Sequence, residues 1–343
     1  MSREPPRKDQ EPGGPGSAPG TPARPLRRRR RARRFAIAFA LCFAIGAAGA
    51  VVFPIALAGE RETRLVVSRV ASGAEPREVR GGVDARAAPP ADGILRVMSL
   101  NIAHGRGTAL HQFLCERPEL ERNLDACAEM IRRERAHLVL LQEADGPSSW
   151  SGSFDHVEHL ARRSCLGWHA RGKHVDGLTI SYGTAMISAL EFRDPVACTF
   201  PMSPPTLSKG YLVATLDWPG RPGVEVDIVS VHLDFSRGGV RKTQVTEMIA
   251  GLSGRGRPLI VIGDLNCEWR DEDSPVRRLA EGLGLRAYAP EAGDLVTFPS
   301  LERRLDWVLV SGEIAFVAHR VLDDTVSDHR AVVADLRLTA ERG

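Results

Sequence analysis

Pro258-Leu-Ile-Val-Ile-Gly-Asp-Leu-Asn266 decides how this chain is read. Leu259–Ile262 are four consecutive apolar residues, the pattern of a strand buried on both faces. Gly263 closes the run, and Asp264 and Asn266 follow two positions apart. At the end of a strand, that spacing directs both side chains to the same side. One is a carboxylate that can orient and deprotonate a water; the other is an amide that can hold an oxyanion. The pair suits attack on a phosphate. An Asp-X-Asn turn has the same letters, so the remaining chain must decide between the two.

Outward from this stretch, polar residues recur where apolar runs stop. Leu95–Leu100 reads as a strand ending at Asn101, with His104 and Arg106 in the glycine-containing loop behind it. Leu138–Leu141 is a short buried strand that delivers Gln142 and Glu143. Tyr211–Trp218 and Val224–Leu233 read as strands joined by a Pro219-Gly220 turn, the second reaching His232 and Asp234. Arg304–Val310 and Ala331–Leu336 are the last strands, with Ser327-Asp328-His329 between them. Helices are expected over Pro118–His137, with Leu120, Leu124, Cys127 and Ile131 on one face, over Val240–Leu252, and over Ser274–Gly284, with Ser274 as N-cap and Pro275 at the first position. Residues 145–180 read as loop-rich. Carboxylates, amides and imidazoles gathered at strand ends mark an active site more readily than a structural need.

In order along the chain stand Ser99-Leu-Asn101, Leu141-Gln-Glu143, Val231-His-Leu233, Gly263-Asp-Leu-Asn266, Arg304-Leu-Asp-Trp307 and Ser327-Asp-His329. Smaller echoes are Tyr182-Gly-Thr-Ala185, Ser208-Lys-Gly210, Arg241 with Gln244, and Thr297-Phe-Pro299. Over about residues 94–338 the chain thereby resembles the endonuclease/exonuclease/phosphatase superfamily of metal-dependent phosphoesterases. The resemblance implies an α/β fold, a four-layer α/β sandwich of two facing mixed β-sheets with helices outside. It implies Glu143 as the main ligand of a divalent cation, with Asn101 and Asp328 beside it. Hard oxygen ligands suit Mg²⁺, and Mn²⁺ can substitute. Asp264 would activate the water with Asn266 in support, His329 would contact the phosphate with Asp306 fixing its tautomer, and His232 would be a second phosphate contact. His104, Arg106 and Lys209 are candidate substrate contacts. Abasic-site endonucleases carry a carboxylate where this chain has Ala103 and a Tyr where it has His232. Those departures shift the resemblance towards deoxyribonuclease-like and neutral sphingomyelinase-like branches.

The N-terminal part has a different character. Residues 1–92 carry 17 Lys+Arg against 9 Asp+Glu, whereas residues 93–343 carry the remaining 29 against 34. The basic charge therefore belongs to the arm, and the net acidic body is a poor general polyanion binder. Residues 1–34 read as a disordered basic arm that ends in seven arginines within Arg27–Arg34. Phe35–Ala58 then runs 24 residues without a charge, enough to cross a bilayer as one transmembrane helix. Arginines ahead of it favour a cytoplasmic N-terminus and an extracytoplasmic body. The run is either a retained anchor, which its length favours, or a signal peptide cleaved after Ala56-Leu57-Ala58, giving a secreted protein. Residues 59–93 read as a linker and 94–343 as the catalytic domain. In an oxidising compartment Cys115 would pair with Cys127 and Cys165 with Cys198, leaving Cys267 free.

These features lead to a membrane-anchored extracytoplasmic phosphodiesterase, expected to be a monomer. Its substrate would be a lipid head group, a small diester or nucleic acid. The alternatives are an extracytoplasmic nuclease acting on DNA or RNA, and a degenerate member that binds without catalysis. Apolar side chains at the cleft rim would favour a lipid, and a groove of Lys and Arg would favour nucleic acid. Trp150, Phe235 and Trp269 are candidates for such a rim.

Overall fold

The computed structural model describes residues 61–70, 93–177 and 179–339. Its strands are β1 (Glu62–Arg64), β2 (Ser68–Arg69), β3 (Ile94–Asn101), β4 (Leu138–Asp145), β5 (Trp168–Arg171), β6 (Val175–Asp176), β7 (Ser181–Ser188), β8 (Phe192–Thr199), β9 (Gly210–Asp217), β10 (Glu225–His232), β11 (Leu259–Asp264), β12 (Arg286–Ala287), β13 (Asp306–Val310), β14 (Ile314–Val321) and β15 (Val332–Leu338). The helices are α1 (Arg117–Glu134), α2 (His156–Arg163), α3 (Gly238–Leu252) and α4 (Pro275–Leu283). One sheet runs β1-β8-β9-β10-β11-β13-β12. The other runs β14-β15-β3-β4-β7-β5-β2, with β6 paired to β7. Both are mixed: β10–β11 and β3–β4 are parallel and the remaining pairs antiparallel.

Strand alternation assembles the layers. Ile260 and Ile262 point inward with Ile228, Val308 and Val310, and meet Leu95, Val97, Leu138 and Leu140 of the facing sheet. Val261 points outward with Val229 and Val231, against Val245 and Met248 of α3 and Val276 and Leu279 of α4. Met98, Leu100, Val139 and Leu141 face outward on the second sheet, against Leu124, Cys127 and Ile131 of α1 and Val157 and Leu160 of α2. The order is therefore helix, sheet, sheet, helix. Every strand in the middle of the sandwich is covered on both faces, which is why the apolar runs around Leu259–Ile262 and Leu138–Leu141 are continuous.

Several expectations are met locally. The Ser274 side chain accepts from the Arg277 N–H, and Gly284 closes α4 in the left-handed conformation. Other segments differ. Residues 145–180 are not only loop: they hold α2, β5 and β6. The longer strands β8 and β14 were not legible in the sequence. β8 is interrupted at Asp194-Pro195 by a register shift, and β14 is a half-buried edge with a shift at Phe316/Ala318, so neither presents a clean apolar pattern. Within the expected linker, residues 62–69 form β1 and β2 and complete one edge of each sheet.

The expected disulfides are absent: Cys115, Cys127, Cys165, Cys198 and Cys267 are free thiols. Cys198 packs on the outer face of the first sheet, and Cys165 follows α2 on the outer side of the second, so both sheets lie between them. Cys127 sits ten residues into α1, about 15 Å along it, and contacts the Val326 carbonyl, whereas Cys115 precedes that helix and contacts the Arg106 carbonyl. The basic arm and the apolar run Phe35–Ala58 lie outside the described residues. Among the described residues, no helix is long and apolar enough to cross a membrane.

Gly263 is required by close approach. Its φ is +152°, and a Cβ there would lie 2.0 Å from the Val231 carbonyl oxygen on the neighbouring strand. Backbone cannot yield as a flexible side chain can, so Gly263→Ala is expected to destabilise the fold by about 3 kcal/mol or more. Urea unfolding of the variant beside the parent checks this, and an unchanged midpoint would contradict it.

Candidate active site

The site lies where strands of both sheets end. Across the first sheet, Gly210, His232, Asp264 and Asp306 occupy one row, each paired with the next on the adjacent strand. Across the second, Asn101 of β3 is opposite Gln142 of β4. The Asn101 amide donates to the Asp264 carboxylate at 3.2 Å and joins the two rows. The Ala103 N–H fixes the other end of that amide, donating to its oxygen at 3.0 Å. Behind them, Ser230 donates to the Leu141 carbonyl at 3.1 Å and accepts from Gln142 at 3.4 Å, a second bridge between the sheets.

Asp264 is the hub. Its carboxylate lies 3.6 Å from His232 Nε2 and 3.7 Å from His329 Nε2 and accepts the Asn266 N–H at 2.9 Å. The strand ends at Asp264, so Asn266 is not presented by strand alternation as its spacing implied. Instead its backbone turns into the left-handed region at φ +52°, and its side-chain amide donates to the Leu233 carbonyl at 3.0 Å. The turn reading and the site reading of Asp264-Leu-Asn266 thus describe one geometry. Burial pushes the Asp264 carboxyl up to about 7; the nearby His329 cation opposes this and Asp306 reinforces it.

His329 Nδ1 donates to Asp306 at 2.8 Å, so the acceptor fixes the proton on Nδ1. Burial disfavours the charged ring, but Asp306 and Asp264 outweigh it, and the imidazole is pushed up to about 10. Thr297 holds this arm in place, its hydroxyl accepting the N–H groups of Leu305 and Asp306. Arg241 and Gln244 brace the loop after His232 by bonding the backbone of Asp234.

On the second sheet the register shifts between Leu141 and Ala144, and Glu143 takes φ +51°. A bulge of this kind re-aims a side chain. Ala103 and His104 also have positive φ, at +46° and +55°. Non-glycine residues held in this region concentrate at functional sites. The Glu143 carboxylate lies 3.3 Å from His104 Nε2 and 3.9 Å from Lys209 Nζ. Burial opposes its ionisation, but His104 and Lys209 hold it well below the usual carboxylate range. Lys209 is itself buried, 3.4 Å from His232 Nδ1 and over the Tyr182 ring. Burial and that ammonium keep the His232 ring neutral, far below its usual pKa.

The structure therefore gathers Asn101, His232, Asp264, Asn266, Asp306 and His329 around one hub, with Glu143, His104 and Lys209 in a contiguous cluster. Asp328 is turned to Arg106, at 2.5 Å. Sequence reading missed Asp145, a fully buried carboxylate that accepts from His104 Nδ1 at 2.7 Å. The signal was available: Glu143 and Asp145 stand two apart at a strand end, as do Asp264 and Asn266. Trp150, expected at the rim, packs edge-on against His104 at 5.5 Å, whereas Trp269 packs near the buried Trp307.

Asp264, Asp306 and His329 could converge on one metal ion. The fit is poor for His329, whose Nδ1 is committed to Asp306 and whose ring is held protonated. Glu143 and Asn101 fit a hard cation better: the Glu143 carboxylate is held ionised and the Asn101 Oδ1 accepts only the Ala103 N–H, although a metal would have to compete with His104 and Lys209 for Glu143.

A sequence profile of the Endonuclease/Exonuclease/phosphatase family matches residues 98–329, and the chain belongs to that family. Its members hydrolyse phosphoester bonds with divalent-metal dependence. No curated protein sequence matches this chain. Among solved structures, an endonuclease/exonuclease/phosphatase from Beutenbergia cavernae is 23% identical at TM-score 0.58, with 72% of each chain covered. The human Nocturnin catalytic domain with a bound sulfate anion is 21% identical at TM-score 0.54, covering 72% of this chain and 95% of that one. Danio rerio TDP2 complexed with a single-strand DNA product is 16% identical at TM-score 0.54, covering 71% and 99%. These likenesses establish the shared fold.

The Asp306–His329 pair gives a direct test. In metal-free protein, the His329 ring is expected to stay protonated at pH 8, and Asp306→Asn is expected to bring its titration down towards the ordinary value of about 6.5. Histidine Cε1–H chemical shifts followed against pH check this. A parent His329 that titrates near neutrality would contradict the pairing.

Proposed function

We propose that this protein hydrolyses phosphodiesters by metal-assisted attack of water, at the outer face of a membrane to which Phe35–Ala58 anchors it. The observation that carries the reading is Asp264, a buried carboxyl whose pKa burial raises, approached by Asn101, His232 and His329 from three other segments. A base whose pKa is near the working pH combines the right protonation state with driving force for proton transfer. Asp264 orients the water and takes its proton. The His329 cation, held by Asp306, faces the same carboxylate and neutralises charge that builds on the phosphoryl oxygens. Neutral His232 presents an Nε2–H to the same place, because Lys209 occupies its Nδ1 side. Asn266 keeps the Asp264 carboxylate oriented through its backbone N–H.

The metal, Mg²⁺ or Mn²⁺, would be held by Glu143 with Asn101 beside it, and supplies Lewis-acid polarisation of the phosphate. Arg106 and Asp328 neutralise one another at the margin, and Lys209 and His104 add cationic character where an anionic substrate enters. The nuclease reading is favoured by the likeness to TDP2 with its DNA product. The acidic body weighs against it, as do rim arginines already engaged by carboxylates.

Hydrolysis of bis-p-nitrophenyl phosphate by the purified chain is expected to require a divalent cation, to stop with EDTA and to return with Mg²⁺ or Mn²⁺. His329→Ala and Asp264→Asn are each expected to lower kcat about a thousandfold. Glu143→Gln is expected chiefly to raise the metal concentration needed. Activity indifferent to EDTA or to His329→Ala would overturn the reading.

A further inference from the structure

Arg61, the first residue of the described N-terminal segment, lies at the end of the sandwich that carries the site. The Arg61 carbonyl accepts the Thr199 N–H, one step before Glu62 pairs with Cys198. Thr199 pairs with Gly210, Gly210 with His232, and His232 with Asp264. Arg61 therefore stands on the same row as the hub, about 15 Å from His232 at the usual spacing between strands. β1 runs away from that end, so the described chain begins at the end that carries the site. The uncharged apolar run stops at Ala58, two residues before the described segment begins.

Exposed apolar side chains cluster on this same end. Of the nine exposed large apolar residues among those described, five are on loops at the site end of the strands. Leu110 (73% exposed), Phe113 (70%) and Leu114 (68%) lie on the loop between His104 and α1. That loop is pinned to the site by Gln112, which donates to the carbonyls of His104 and Trp150. Phe113 packs edge-on against Trp150 at 4.8 Å, so an aromatic path leads from His104 to solvent. Met202 (37%) is on the loop that carries Lys209, and Leu301 (52%) on the loop before Asp306. Exposed apolar side chains gathered on one surface mark a site of interaction rather than a random scatter.

We infer that this apolar rim rests on the bilayer that anchors the chain, with the cleft aimed at phosphodiester head groups of that bilayer. The inference rests on the catalytic reading above for its substrate, but not for its surface. The occupant is hydrocarbon rather than a polyanion because the rim arginines already have partners within the protein. Arg106 pairs with Asp328, Arg117 with Glu121, Arg237 bonds the Ser203 carbonyl, and Arg303 pairs with Glu268 and Asp271. A nucleic acid would require such cations for its successive phosphates. Leucine and phenylalanine on such a rim settle at the acyl boundary of a bilayer.

The full-length chain, reconstituted in phosphatidylcholine vesicles, tests this. Tryptophan placed by Phe113→Trp is expected to be quenched by dibrominated phosphatidylcholine beyond the parent's own signal. Val224→Trp, at the opposite end of the strands, is expected to add no quenching. Equal quenching of the two variants, or none at Phe113→Trp, would overturn the docking. In the same vesicles, Leu110→Ser with Leu114→Ser is expected to cut hydrolysis of a phosphodiester lipid at least about tenfold. Hydrolysis of soluble bis-p-nitrophenyl phosphate is expected to stay within about twofold. Equal loss on both substrates would overturn the inference. Quenching at Phe113→Trp without hydrolysis of any diester keeps the docking surface and overturns the catalytic reading beneath it.

Discussion

The hydrogen bond from Asn101 to Asp264 is the constraint on which the rest of the site depends. It is a buried contact between two sheets whose strands come from distant parts of the chain. A buried carboxylate is costly unless its lone pairs are met. Here the Asn101 amide and the Asn266 N–H meet them, and two imidazole nitrogens stand 3.6 and 3.7 Å away. The sandwich brings those groups together only if both sheets keep register, so the packing of Ile260 and Ile262 against Leu138 and Leu140 serves the chemistry as well as the fold. Gly263 serves it too: by letting β10 and β11 approach closely, it sets His232 beside Asp264.

Much of the site was legible because the same device is used repeatedly. An apolar run reports a strand, and the polar residues at its end report what the strand delivers. Asn101, Glu143, His232 and Asp264 each stand at such a boundary, and the structure places all four at one end of the sandwich. Less visible was anything fixed by backbone conformation. The bulge that re-aims Glu143 and the left-handed turns at Ala103, His104 and Asn266 leave little trace in composition, because these are not glycines. Asp145 was hidden by its neighbour: Glu143 explained the strand end, and the second carboxylate looked redundant. Short or interrupted edge strands, β1, β2, β8 and β14, bury too little for periodicity to register. The cysteines misled because the pairing rested on an oxidising compartment, whereas helix and sheets separate the thiols.

Charge is arranged in two linked clusters. Asp264, Asp306 and His329 form one; Glu143, Asp145, His104 and Lys209 form the other, with His232 between Lys209 and Asp264. In each cluster, cations and carboxylates face one another, so neither isolates a charge in the interior. The division matches a hydrolase in which one side manages the water and its proton and the other manages metal and substrate charge.

The central claim is that water attacks phosphorus at this site. Hydrolysis of bis-p-nitrophenyl phosphate in ¹⁸O-water, with a divalent cation present, tests it most directly. The account predicts ¹⁸O bound to phosphorus in the p-nitrophenyl phosphate product of the parent chain, formed about a thousandfold more slowly by Asp264→Asn. Label in the nitrophenol instead of the phosphate, or turnover undiminished in Asp264→Asn, would contradict it.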